Sequence, residues 1–306
     1  MRKQRFEIRV FLLFIPGTRM VKNLCLLFLG VVFLASCEKF KGDQEVPAYL
    51  SIDSIYIYTD YAIQGSSSQN ICDSWVYVDG QLIGAFQNPS KFPVLQKGTH
   101  KVTIMPGIKK NGISSTRATY DFYAPISYNV KFGMDSVTRL KTLKTTYASN
   151  TNFLWKEDFE GTSIKLDTTN RSTVPVKVTP EGSSFTIEGL HSAIMITDTV
   201  NNFAEAQSHD SFVIPYSPVY LELNYNINTV LTVGVILTGP SAFIQTPVVN
   251  LNVTNNKSKK IYIELTPALN STTGIDHFRV YFGAFMDASL TKGIIVLDNI
   301  KVVTTK

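Results

Sequence analysis

The sequence predicts an all-β protein, and three observations carry that reading. From Ala48 onward, short runs rich in Val, Ile, Tyr, Phe and Thr alternate with clusters of Gly, Pro, Asn, Asp and Ser. No stretch keeps an apolar period of 3.6 residues over three turns. Asp79-Gly80 stands between two β-type runs, the pattern of a tight hairpin, because both central residues of its favoured turn need positive φ.

Residues 1–36 stand apart from this pattern. The apolar run Leu24 to Ala35 follows Lys22 and ends in Leu34-Ala35-Ser36-Cys37. It is short for a membrane span, which needs about 20 apolar residues, and it has the basic flank, apolar core and small-residue end of a secretory signal. Its last four residues resemble a bacterial lipobox, in which cleavage precedes a cysteine that carries lipid. The resemblance implies a signal peptide over 1–36, lipidation of Cys37, a membrane partner reached through acyl chains, and an outer-membrane location on the periplasmic or extracellular face. Met20-Val21-Lys22 already makes a basic start, so residues 1–19 read as an over-long beginning.

The leader also holds the whole of the charge imbalance. The whole chain has 29 basic and 24 acidic side chains; residues 1–36 hold six basic and one acidic, leaving 23 of each sign from Cys37 onward. That balance excludes a basic nucleic-acid surface as the organising feature of the folded part. With Cys25 in the leader and Cys37 at the cleavage point, Cys72 is left alone and no disulfide framework follows.

Residues 37–47 are polar and end at Pro47, and read as a tether. The first β region spans 48–145. Its strands are expected at Tyr49–Tyr58, Trp75–Val78, Gln81–Phe86, Lys91–Leu95, His100–Ile104 and Tyr128–Phe132, with Tyr120–Tyr123 helping to close it. The order Val76-Tyr77-Val78-Asp79-Gly80, Ile83-Gly84, Pro89, Leu95, Gly98, His100 and Val102 resembles a PEGA-type domain, which implies a small Ig-like β-sandwich that mediates interactions.

Thr142 to Asn152 is polar and reads as a link to a second region over 153–306. Strands are expected at Tyr220–Tyr225, Leu231–Leu237, Lys260–Leu265, Phe278–Phe282 and Ile294–Val303. The opening Glu157-Asp158-Phe159-Glu160 and the closing Leu297-Asp298-Asn299-Ile300-Lys301-Val302 together resemble jelly-roll carbohydrate-binding modules. The resemblance implies a jelly-roll sandwich whose first and last strands lie side by side. It also implies a structural Ca²⁺ held by Glu157, Asp158, Glu160 and Asp298, the hard oxygen donors this ion takes. The other reading of those four is solvated carboxylates at strand ends.

Sugar binders present exposed aromatic rings, so Trp155, Tyr216 and Tyr281 are the expected ligand-binding residues, with Tyr at alternating strand positions more often half-buried packing. Asp53-Ser54-Ile55, Asp135-Ser136-Val137, Asp167-Thr168-Thr169 and Asp198-Thr199-Val200 resemble the sequon that Bacteroidota glycosylate on exported proteins, which implies glycosylation at Ser54, Ser136, Thr168 and Thr199. The same dipeptides also mark turns.

No catalytic motif stands out. His100, His191, His209 and His277 form no zinc spacing, and a Gly-x-Ser-x-Gly elbow and a phosphate-binding glycine loop are both lacking. The expected role is therefore binding, of a glycan or of a partner protein in the cell envelope, with the loops Ile108–Thr116 and Ser183–Ser192 contributing. A structural or assembly subunit is the alternative. A hydrolase or lyase is the second alternative, and it requires carboxylates that converge in one concave site.

Overall fold

The hairpin expected at Asp79-Gly80 is formed as predicted, with φ of 47° and 83° at the two turn residues. The computed structural model describes residues 46–306. The leader, Cys37 and the tether up to residue 45 lie outside the described residues. The described chain is all-β apart from two short helices.

The first half contains β1 (Ala48–Ile57), the one-turn helix α1 (Tyr61–Gln64), β2 (Asp73–Val78), β3 (Gln81–Gln87), β4 (Ser90–Val94), β5 (Gly98–Lys109), β6 (Arg117–Thr119), β7 (Ile126–Phe132) and β8 (Val137–Thr145). A three-stranded sheet runs β4-β1-β8, with β1 and β8 parallel. It faces a sheet ordered β3-β2-β5-β6, in which β7 also pairs β5. Alternation on these strands points Leu50, Ile52, Val76, Val78, Val102 and Ile104 into one shared core. Tyr120–Tyr123 forms a turn rather than a strand, because its aromatic rings are drawn into the junction described below.

The second half contains β9 (Thr151–Glu157), β10 (Leu166–Thr168), β11 (Lys177–Val178), β12 (Ala193–Thr197), β13 (Phe203–Ser208), β14 (Phe212–Val213), β15 (Tyr220–Ile227), β16 (Leu231–Gly239), β17 (Ala242–Leu251), β18 (Lys259–Glu264), α2 (Thr266–Leu269), β19 (His277–Phe285) and β20 (Gly293–Thr305). Two antiparallel sheets enclose a second, larger core. One is ordered β10-β13-β19-β16-β17, the other β11-β12-β20-β15-β18. The opening strand β9 pairs antiparallel with the closing strand β20, Glu157 opposite Ile300.

Pro47 to Lys306 forms one compact unit. At its middle, Tyr120, Phe122, Tyr123 and Tyr147 of the first half pack against Tyr220, Tyr262 and Val303 of the second. This junction also buries charge. Glu222 accepts hydrogen bonds from Tyr120 Oη at 2.9 Å and Tyr147 Oη at 2.8 Å, and pairs with Lys260 Nζ at 3.2 Å. Lys301 Nζ donates to Ser66 O at 2.7 Å and to Tyr147 Oη at 3.1 Å. Glu222, Lys260 and Lys301 thus each have a partner from the opposite half or the neighbouring strand. The edge strand β18 is capped by the loop after β5: Asn111 N donates to Tyr262 O at 2.8 Å, and Lys110 pairs with Glu264 at 2.8 Å. A covered edge does not recruit a foreign strand.

Candidate functional site

Carboxylates expected near the β9–β20 junction do gather there, with one exchange of membership. A cavity of about 300 Å³ is lined by Tyr61, Asp158, Glu160, Glu188, Asp298 and Asn299. Glu157 is not part of it: its side chain turns inward and accepts from Phe159 N at 2.7 Å and from Lys165 N. Glu188 takes its place from the loop between β11 and β12. The remaining carboxylates are each held by donors of the protein itself. Glu160 Oε1 accepts from Leu190 N and His191 N at 2.8 and 2.9 Å. Asp158 accepts from Tyr61 Oη at 2.9 Å. Glu188 accepts from Ser66 Oγ at 2.7 Å and Asn299 Nδ2 at 2.9 Å. Asp298 accepts from Ser192 Oγ at 2.8 Å and the Glu188 and Asn299 amides at 3.1 and 2.7 Å, and burial still pushes its carboxyl up to about 7.

The expected Ca²⁺ set does not fit this arrangement. Among the described residues no three His, Cys, Asp or Glu side chains are placed to hold a metal ion. Hard cations need several oxygens free to turn inward together, and here the carboxylates point at backbone amides and hydroxyls. The cluster instead ties α1 to the turn after β9 through Tyr61 and Asp158, and Ser66 to the loop carrying Glu188.

The expected aromatic platforms are also corrected in part. Trp155 is 3 % exposed, because its position on β9 faces the space between the sheets, where it packs 6.2 Å from Phe212. Its ring has no face toward solvent. Tyr216 lies in the loop before β15 and is fully exposed. Tyr281 lies on the outer face of its sheet but is only 4 % exposed; burial raises its phenol pKa, and Gln245, Glu205 and Arg171 surround its hydroxyl. Of the sequon residues, Thr168 and Thr199 are exposed, while Ser54 on β1 and Ser136 in a turn are half-buried.

The surroundings of Tyr281 form a second polar constellation. On β19 the even positions Phe278, Val280, Phe282 and Ala284 enter the core, so Arg279, Tyr281, Gly283 and Phe285 face outward. Register places Phe203 opposite Phe285, Glu205 opposite Gly283, and Gly234 opposite Tyr281. The two glycines clear the middle of the face: the Tyr281 ring lies so close over Gly234 that a Cβ there would meet it at 2.5 Å. Across this gap Glu205, 3 % exposed, accepts from Gln245 Nε2 of β17 at 2.8 Å and from Thr169 Oγ1 at 2.8 Å. Arg171 closes the set, donating to Gln245 Oε1 at 2.6 Å and standing 3.8 Å from Glu205. At one end Phe203 and Phe285 pack with ring centroids 4.3 Å apart, and Phe285 is 67 % exposed. Sequence reasoning picked out Tyr281 here but missed Glu205, Gln245, Arg171 and Phe285. The alternation along β19 was the available signal for Phe285.

No protein-family model matches this chain, and no curated protein matches it. Solved structures give distant matches. One is a carbohydrate-binding module of the β-sandwich superfamily, at 15 % identity and a TM-score of 0.35, covering 76 % of this chain and 85 % of the other. A xylan-binding domain of carbohydrate-binding module family 22 matches at 10 % identity and 0.35, covering 50 % and 94 %. The enzymatically active domain of tailspike protein 4 from bacteriophage CBA120 matches at 14 % identity and 0.33, over 50 % of this chain and only 19 % of that one.

Proposed function

We propose that this chain is an exported, lipid-anchored envelope protein that binds glycan on the outer face of the β13-β19-β16-β17 sheet. The observation that carries the reading is the bridge of Glu205, Gln245 and Arg171 beside the exposed Phe285 ring. Carboxylate, amide and guanidinium groups supply paired donors and acceptors for sugar hydroxyls. An aromatic ring offers an apolar face to the C–H side of a pyranose. The groups already satisfy one another, so a ligand exchanges those bonds for its own rather than desolvating bare groups. Arg171 is the half-exposed member and the one that can swing aside. Lipid anchorage at Cys37, and with it the outer-membrane location, is supported by the leader sequence alone.

A glycan-array screen of the chain from Glu38 onward tests the reading. The expected result is binding to a defined glycan class, weakened at least tenfold by either Glu205→Gln or Phe285→Ala in variants that remain cooperatively folded. No binding, or binding of every glycan that proves indifferent to both substitutions, sinks it. The envelope-assembly alternative then gains, with cross-linking from membranes as its test.

A further inference from the structure

A cleft of about 500 Å³ lies where the loops of the first half meet the side of the second sandwich, between β17 and β18. It is separate from both sites above. That volume suits a small organic ligand, since such pockets usually measure about 300–1,000 Å³. The lining contains no aspartate or glutamate, while Lys109 and Lys259 both reach it. Neither lysine has an acidic partner among the described residues.

The polar groups between those lysines are held in place from behind. Asn70 Nδ2 donates to Lys260 O at 3.0 Å, which leaves its Oδ1 as an acceptor. Asn111 Oδ1 accepts from Glu264 N at 2.9 Å, which leaves its Nδ2 as a donor. Tyr225 also lines the cleft: its ring packs in the sandwich core, and its hydroxyl makes no hydrogen bond among the described residues. That oxygen is not sealed from solvent, so it opens on the cleft as a donor or acceptor for a group from outside the chain. Fixed amides, an unpartnered phenol and two unpaired cations together describe a ligand that is hydroxyl-rich and negatively charged.

We propose that this cleft binds an acidic sugar unit. Lys109 and Lys259 neutralise its carboxylate, and Tyr225 with the Asn70 and Asn111 amides meets its hydroxyls. A simple inorganic anion would engage the lysines but leave the amides and most of the volume unused. A neutral sugar would leave the two cations uncompensated.

The test is calorimetric titration of the chain from Glu38 onward with a galacturonate trisaccharide, a neutral galactose trisaccharide and inorganic phosphate. The expected result is that the uronate binds at least tenfold more tightly than either of the others. Binding should weaken between 50 and 500 mM salt, as charge pairing at a surface cleft requires. The double variant Lys109→Gln, Lys259→Gln should erase the preference for the uronate. Tyr225→Phe should weaken binding severalfold with no loss of thermal stability. A protein carrying Glu205→Gln and Phe285→Ala should keep uronate binding, which separates this site from the sheet face. Absence of uronate binding, equal affinity for the neutral sugar or phosphate, an unaltered double variant, or loss of binding in the sheet-face variant overturns the assignment.

Discussion

Glu205 and Gln245 share a hydrogen bond of 2.8 Å although they sit on β13 and β17, with β19 and β16 between them. Adjacent strands lie about 4.8 Å apart, so the two backbones are separated by roughly 14 Å in a flat sheet. The side chains meet because the intervening outward positions include Gly283 and Gly234, which place nothing between them. Polar contact across three strand spacings is unusual on a solvated sheet face. It keeps a carboxylate almost fully covered where a surface glutamate would ordinarily be hydrated.

The two glycines differ in what they tolerate. A Cβ at Gly234 would stand 2.3 Å from Thr246 O and 2.5 Å from the Tyr281 ring. A Cβ at Gly283 would meet Glu205 Oε2 at an ordinary 3.5 Å. Gly234→Ala should therefore cost about 1–3 kcal/mol through overpacking against backbone, while Gly283→Ala should stay within about 0.5 kcal/mol. Urea denaturation of the two variants checks this. Equal losses would mean that the β16–β17 pairing relaxes freely around an added methyl at position 234.

Lipid attachment is tested without reference to the fold. Acyl chains contribute about 0.8 kcal/mol per buried methylene, and stable anchoring takes more than one chain. Cys37→Ser should move the protein from the membrane to the soluble fraction, and the N-terminal peptide of the unaltered protein should carry the mass of its acyl groups. An unmodified Cys37 on a membrane-bound protein would point to an uncleaved leader as the anchor.

Much of the fold was legible because it is written in local patterns. The Asp79-Gly80 hairpin follows from turn chemistry, and the adjacency of β9 and β20 follows from the resemblance of the two ends of the second region to a jelly roll. The convergence of Asp158, Glu160 and Asp298 followed from that same adjacency. Glu188 and Tyr61 join them from a loop and a one-turn helix that carry no periodic signal. Trp155 was misread because residue type does not say which face of a strand a ring occupies, and here it occupies the inner one. Glu205 and Gln245 were invisible because their meeting depends on register across four strands, a relation that no short stretch of sequence contains.

Glu222 is the residue whose loss should uncouple the two halves. Its side chain is fully buried, and it serves Tyr120, Tyr147 and Lys260 at once. Removing one partner of a buried ion pair typically costs about 3–5 kcal/mol, because the other charge is left uncompensated. Glu222→Ala should lose about that much stability and should speed proteolytic cleavage between Leu143 and Asn152, the segment that carries buried Tyr147. Glu222→Gln, which keeps an acceptor for the tyrosines, should lose less. A loss under about 1 kcal/mol with unchanged cleavage would show that the aromatic packing alone holds the junction.

Asp298 and Lys301 lie three positions apart on β20 and shift in opposite directions. Burial raises the Asp298 carboxyl to about 7, against the bonds it accepts from Ser192, Asn299 and Glu188 and with the Glu188 charge adding to the rise. Burial lowers the Lys301 ammonium to about 7, helped by Lys260 and Lys156 and opposed by Glu222 and Glu188. Between the unfolded aspartate value of about 3.9 and about 7, the folded chain holds more protons at Asp298, so its contribution to stability falls as pH rises. From about 7 to the unfolded lysine value of about 10.4, the unfolded chain holds more protons at position 301, so stability rises with pH. The pair thus places a local minimum of stability near neutrality. Urea midpoints at pH 4.5, 7 and 9.5 should show it as a difference from two variants: Asp298→Asn should flatten the acid limb, and Lys301→Met should flatten the alkaline limb. Parallel curves for all three proteins would mean that both groups keep their ordinary charges inside the fold.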